Sequence, residues 1–350
     1  MRRYKVPELP IPAHFDGLRT GEIWRVDYGA RAPEAEAWAA THGIRHPSED
    51  DLRIGLLLVD CQNTFCIPGY ELFVAGRSGS GAVDDNSRLC QFIYRNLGVL
   101  TEITATLDTH TALQIFHPVF WVDQEGDHPI GGQTEITLAD VEKGRWRPNP
   151  AVADSLAGGD VEWLEKYACH YVRRVTEGRY PLMVWPYHAM LGSIGHALVS
   201  AVDETVFFHS IARQTAARFE VKGGTPLTEN YSVFSPEVTL GPGNERIASP
   251  NLALFERLME FDTVVVAGQA ASHCVAWTLH DLLTAIQARD PELAGKVYIL
   301  EDCMSSVVVP GVLDFTDDAE EALDLFEGHG MHRVRSTDPM ASWEGMGHAR

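Results

Sequence analysis

Short apolar runs recur along the chain, and between several of them apolar positions return every three or four residues. The run IGLLLVD (54–60) is β-rich and apolar on both faces, as a strand buried between two layers must be. It leads into a helical pattern over 85–98, where Leu89, Phe92, Ile93 and Leu97 form one stripe. Further strands are expected at 101–108, 219–223, 263–268, 296–300 and 332–336, with helical patterns at 275–287 and 318–327. Strands alternating with helices predict an α/β fold: a doubly wound, Rossmann-like, mostly parallel sheet of about six strands flanked by helices.

Two segments fall outside this rhythm. Residues 1–50 are rich in proline and charge, with one short helix expected at 33–41, and read as an N-terminal extension that wraps or caps the body. Residues 122–181 are polar and rich in Gly and Pro before the helical stretch DVEWLEKYACHYVRRV, and read as an insertion serving as a lid or an oligomer contact. No internal repeat divides the chain, so residues 51–350 are expected to form one domain interrupted by that insertion.

Composition narrows the function classes. The 350 residues carry 49 acidic and 28 basic side chains, a formal charge of −21, which repels phosphate backbones and anionic lipid. Nucleic-acid and membrane partners are therefore not expected. No stretch reaches the roughly 18 consecutive apolar residues of a membrane span, and the N-terminus has prolines and charges where a signal peptide is apolar. Cys61, Cys66, Cys90, Cys169, Cys274 and Cys303 are scattered without disulfide-framework or zinc-ribbon spacing. Reduced thiols and a cytoplasmic location are the expectation.

In an open α/β sheet, ligands bind beyond the carboxyl ends of the strands, so polar residues directly after apolar runs carry the candidate chemistry. Cys274 lies between a strand ending at Gly268 and a helix whose apolar face is Val275, Leu279, Leu282, Leu283 and Ile286. A thiol at a helix N-terminus sits in a positive field that favours the thiolate; taken alone, Cys274 reads more readily as a small buried hydrophobe, as most free cysteines do. Asp60 follows LLLV, and a carboxylate there needs a partner or caps a turn. Lys222 follows the FEV run. Asp108 and His110, with His117 seven residues on, offer carboxylate and imidazole together, a donor set that suits zinc, iron or manganese. Trp185 and His188, in WPYH, add an aromatic face and another imidazole.

In this order, the segments LLLVDCQNTF, LDTH, WPYHAMLGSIG, VKGGTPLTENYSVF and AGQAASHCV resemble the motifs of the nicotinamidase/isochorismatase-like cysteine hydrolases, over roughly residues 54–336 apart from the insertion. The resemblance implies Cys274 as nucleophile, Asp60 as general base and Lys222 as the third catalytic residue. It implies one divalent metal, zinc first with iron or manganese as alternatives, on Asp108, His110, His188 and His117. It further implies a non-proline cis peptide between Ala270 and Ala271, an oxyanion hole from the N–H groups of Ala271 and Cys274, and a pocket lined by Phe65, Trp185 and His273. The chain departs from the family pattern in having Ala189 where a cysteine is usual and Ala271-Ser272 where Thr-Asp is usual. The implied activity is hydrolysis of a small, heteroaromatic carboxamide such as nicotinamide to the acid and ammonia. Alternatives are another small amide cleaved by the same chemistry, or a non-catalytic binding or assembly protein on the same fold, with a homo-oligomer contact through the insertion.

Overall fold

The computed structural model describes residues 8–178 and 180–346; residues 1–7 of the expected extension, 179 of the insertion and 347–350 lie outside it. In chain order the principal elements are α1 (Tyr28–His42), β1 (Ile54–Val59), α2 (Gly81–Arg95), β2 (Leu100–Asp108), β3 (Thr134–Ile136), α3 (Val161–Thr176), β4 (Leu182–Val184), α4 (Ser200–Arg213), β5 (Arg218–Lys222), α5 (Leu252–Met259), β6 (Thr263–Gly268), α6 (Ala276–Arg289), β7 (Val297–Leu300), α7 (Thr316–Gly328) and β8 (His332–Val334). None of the described helices is long and apolar enough to cross a membrane.

Six strands form a parallel sheet in the order β8-β7-β6-β1-β2-β5. Every residue of β1 and β6 is buried, which explains why both read as unbroken apolar runs rather than alternating ones. The chain leaves β1 toward β2 on one side and returns at β6 to build β7 and β8 on the other. With the right-handed crossovers that parallel strands almost always take, reversing the winding direction sends α2 and α6 to opposite faces. The order reverses between β1 and β6, whose residues pair from Ile54 with Thr263 to Val59 with Gly268. That reversal is where an open α/β sheet leaves a crevice beyond its carboxyl ends.

The chain divides into two compact units. Among the described residues, unit 1 comprises 8–107, 197–220 and 252–346. Its core joins Ile54, Leu56 and Leu58 of β1 to Leu89, Phe92 and Ile93 of α2 and to Val202 and Val206 of α4, all essentially inaccessible. The N-terminal segment belongs to this unit. Its helix runs Tyr28–His42, longer than the expected 33–41, because the Asp27 side chain caps it by accepting the Ala30 N–H, and Gly43 ends it in the left-handed conformation. Ala35 packs with Tyr94, Leu97, Phe208 and Ala212. Just after α1, Asp50 meets the buried Arg213 guanidinium of α4 at 2.5 Å, and the same guanidinium donates to the carbonyls of Arg45, Gly98 and Leu100.

Unit 2 comprises residues 108–196 and 221–251, wider than the 122–181 insertion expected from composition. It has its own core, in which Phe116, Phe120 and Trp121 pack with Leu164, Tyr167, Tyr171 and Val172 of α3 and with Leu182 and Val184 of β4. Strand β4 pairs antiparallel with β3. Ligands of the expected metal set, all of them in 108–196, thus belong to a unit with an interior of its own.

Candidate active site

In unit 1 the site grows from the ends of β1 and β6. Asp60 closes β1 in the left-handed region, with φ of 48°, a costly conformation for a residue with a Cβ. It is held there from both ends: its N–H donates to Thr106 Oγ1 at 3.0 Å, and the Thr106 hydroxyl donates to its carboxylate. A carboxylate with no measurable exposure is tolerated only with such partners.

Beyond β6, residues Ala271–Val275 form a π-helical turn that runs into α6, and Cys274 sits in it, half-buried. The thiol therefore lies at the entry of a long helix, as the sequence pattern suggests. Four other cysteines, Cys61, Cys66, Cys90 and Cys303, are buried, and burial pushes their thiols up, Cys90 to about 12. His273 beside the nucleophile candidate is buried, pushed down to about 4 by that burial, bonded through Nδ1 to Ser272 Oγ at 2.9 Å and set edge-on to Phe315. Phe65 is half-buried and packs against the core of unit 1.

Two expectations for this loop are corrected. The cis peptide joins Gln269 to Ala270, not Ala270 to Ala271; Ala271 already opens the helical turn, so the irregular link falls one residue earlier. The Ala271 N–H cannot serve an oxyanion as it stands, because it donates to the Ser305 carbonyl at 2.8 Å. The N–H of Ala270, one residue before, makes no hydrogen bond among the described residues.

In unit 2, Asp108, His110 and His188 bring one donor atom each within 4.8 Å of one another, all buried. His110 Nε2 lies 2.7 Å from Asp108 Oδ2, and His188 Nε2 lies 3.6 Å from the same oxygen. The opposite ring nitrogens face backbone carbonyls: His188 Nδ1 donates to Pro186 at 2.8 Å, and His110 Nδ1 faces Gly223 at 3.4 Å. Outer partners of this kind favour the tautomer that leaves Nε2 able to take a metal. Gly223 permits this packing, for a Cβ there would stand 2.6 Å from His110 Cε1.

His117 stands outside the compact three-residue group, its ring centroid 5.9 Å from His110 and 5.8 Å from His188. Its Nδ1 faces the Ala112 carbonyl at 3.3 Å, and its buried Nε2 has no hydrogen-bond partner among the described residues. Burial, then the charges of His188 and His110, push it down to about 3, so it stays neutral and able to donate a lone pair. Carboxylate and neutral imidazole donors of this kind fit a divalent transition metal.

Burial alone would raise the Asp108 carboxyl; His110 and Lys222 outweigh it and hold the group well below the usual carboxylate range. Lys222, buried at the end of β5, donates to Asp108 Oδ1 at 3.0 Å and to the Asn230 carbonyl at 2.8 Å. Trp185 donates through its indole N–H to Tyr231 Oη at 3.3 Å and lines a narrow cavity of about 10 Å³ with Phe116, Tyr171 and Glu229. Glu229, which sequence reasoning did not single out, is buried beside this set, and burial raises its carboxyl to about 7. Only its neighbourhood to Lys222 in the motif could have pointed to it.

No protein-family model matches the chain, and no curated protein matches it. Solved structures similar to it are nicotinamidase/pyrazinamidase and isochorismatase-like hydrolases. A nicotinamidase pyrazinamidase of Acinetobacter baumanii is 20% identical over 83% of this chain and 99% of its own, with a TM-score of 0.47. A pyrazinamidase of Pyrococcus horikoshii, solved in complex with zinc, is 18% identical over 81% and 99%, with a TM-score of 0.43. The yeast nicotinamidase Pnc1p, bound to the inhibitor nicotinaldehyde, is 14% identical over 81% and 99%, with a TM-score of 0.47.

Proposed function

We propose that this chain is a cysteine amidohydrolase that cleaves a small heteroaromatic carboxamide, nicotinamide being the first substrate to try, to the acid and ammonia. The observation that carries the reading is the switch point of the sheet: Asp60 closes β1 and the Cys274 turn follows β6, on the two adjacent strands where the winding reverses.

In this reading Asp60 takes the thiol proton, and the Cys274 thiolate attacks the amide carbonyl carbon. The ammonium of Lys222 offsets the negative charge gathered by the pair. N–H groups of Cys274 and of Ala270, which takes the place of Ala271, receive the oxyanion. The carbon–nitrogen bond then breaks, ammonia departs with the proton held by Asp60, and a thioester remains on Cys274. Asp60 next draws a proton from water as it adds to the thioester, which releases the acid and returns the thiol. The pocket residues that the resemblance implies for a flat ring are Phe65, Trp185 and His273.

Asp108, His110 and His188, with His117, would hold the metal, which when bound supplies a Lewis acid and an anchor for a ring nitrogen of the substrate. His110 and then Lys222, the latter through a 3.0 Å contact, outweigh burial and keep Asp108 ionised, so the carboxylate is a ready ligand at any ordinary pH.

The test is a comparison of Asp60→Asn, Lys222→Ala and Cys274→Ala with each pairwise combination. Residues acting as one catalytic unit give losses that do not add. Multiplying losses, or a Cys274→Ala variant as active as the parent, would contradict the reading.

A further inference from the structure

The turn that bears Cys274 is tied down by a set of side chains with no counterpart in the reaction described above. Gln269, 1% exposed, donates through Nε2 to Asp85 Oδ2 at 2.9 Å and accepts the Ser305 N–H on Oε1 at 3.2 Å. Ser305 returns the link, its carbonyl taking the Ala271 N–H at 2.8 Å. Two residues on, the Val307 N–H donates to Ser272 Oγ at 3.1 Å. The segment 269–272 is thus clasped to 305–307 at three points, and a single carboxylate, Asp85, holds the clasp from behind.

Asp85 is an unusual residue for its place. It lies on the inward face of α2, the helix whose Leu89, Phe92 and Ile93 fill the core, and it is 2% exposed. An apolar side chain would satisfy packing there, whereas a carboxylate requires partners for both oxygens. Those partners are Arg88, whose Nη2 donates to Oδ1 at 2.7 Å and whose Nε donates to the Asp302 carbonyl at 2.5 Å, Gln269 on Oδ2, and the side chain of Ser305. The Asp85 acceptor decides which way the Gln269 amide points: its NH2 must face the carboxylate, so its oxygen must face Ser305.

We propose that Asp85 and Gln269 are positioning residues for Cys274, setting the start of the turn from which the thiol projects. The inference rests on Cys274 being the nucleophile. Neither residue touches substrate; they act on the thiol through the Ser305–Ala271 link. A clasp of this kind matters because a displacement of about 1 Å at a reacting group costs a rate on the order of a hundredfold.

The experiment reads the alkylation rate of Cys274 by iodoacetamide in the full chain, with Cys169, the other cysteine that is not fully buried, as internal reference. It needs no substrate, so silence across a panel of amides, which would sink the amidase reading, leaves this measurement intact. Gln269→Ala and Gln269→Glu are each expected to slow Cys274 relative to Cys169 by about tenfold. The reversed pair Asp85→Asn with Gln269→Glu restores the hydrogen bond with donor and acceptor exchanged, and is expected to return the ratio to within about threefold of the parent. A purely structural role would lower the melting temperature and leave the ratio alone. The proposal is overturned if Gln269→Ala keeps the ratio within about twofold, or if the reversed pair is no faster than Gln269→Glu alone. Should Gln269→Ala fail to fold, the comparison between Gln269→Glu and the reversed pair decides by itself.

Discussion

The amide nitrogen of Gln269 donates to the carbonyl oxygen of Val59 at 2.8 Å, joining the last residue of β1 to the first residue after β6. Gly268 makes this approach possible. Its φ is 126°, and a Cβ there would lie 2.0 Å from the same Val59 oxygen. Gly268→Ala is therefore expected to cost at least about 2 kcal/mol of stability by urea titration, since both the backbone angle and the space forbid the methyl group. A variant as stable as the parent would mean that the strand ends can part.

Thiol chemistry gives a second expectation. Burial raises Cys61, Cys66, Cys90 and Cys303 and withholds them from solvent, so at neutral pH they should react with iodoacetamide far more slowly than Cys274. Peptide mapping after a stoichiometric pulse should find most of the label on Cys274. Label spread evenly over the six would contradict an activated nucleophile.

The turn around Cys274 separates what a sequence discloses from what it hides. Strands β1, β2 and β6 were legible to within a residue, because buried parallel strands are apolar runs ended by Asp or Gly. Helix α3 was legible too, through its apolar stripe from Leu164 to Val175. Helices α4 and α5 were not identified from sequence: α4 buries polar side chains such as Thr205, His209 and Arg213 along with apolar ones, which blurs its periodicity. The partner of the Ala271 N–H is a carbonyl at residue 305, and the partner of Gln269 is at residue 85. Backbone and side-chain pairs so far apart leave no local pattern, so neither the Ala271–Ser305 link nor the Asp85 clasp is legible in the sequence.

Metal binding should follow the three-residue group. Zinc titrated into metal-free protein is expected to fill one tight site per chain, and His188→Ala or Asp108→Ala should weaken it by at least about a hundredfold. His117→Ala should weaken it less, by about tenfold, because its ring stands outside the compact group while its Nε2 can still donate. Equal affinity in all variants would place the metal elsewhere.

Acid sensitivity follows from His209, buried in α4, where burial lowers the imidazole from 6.5 to about 4 while its Nε2 bonds the Leu100 carbonyl at 2.9 Å. A folded value below the unfolded one means the neutral ring stabilises the fold fully above pH 6.5, and that contribution is lost as pH falls toward 4. Its size is at most roughly 3 kcal/mol. His209→Gln can keep the hydrogen bond without the titration, so its melting temperature should fall less than the parent's between pH 7 and pH 4.5. An identical fall in both would remove His209 from the account.

The N-terminal segment is expected to be structural through the buried Asp50–Arg213 pair. Asp50→Ala leaves a guanidinium of 0% exposure without its counter-charge and should cost about 3–5 kcal/mol by denaturant titration. A loss below about 1 kcal/mol would show that the carbonyls of Arg45, Gly98 and Leu100 suffice.

The most direct test of the central claim is ammonia release from nicotinamide, beside a small set of other carboxamides, by metal-replete protein and by Cys274→Ala. The account predicts release by the parent chain that Cys274→Ala abolishes. Release that persists in Cys274→Ala, or no release from any carboxamide by a protein whose Cys274 is reactive, would contradict it.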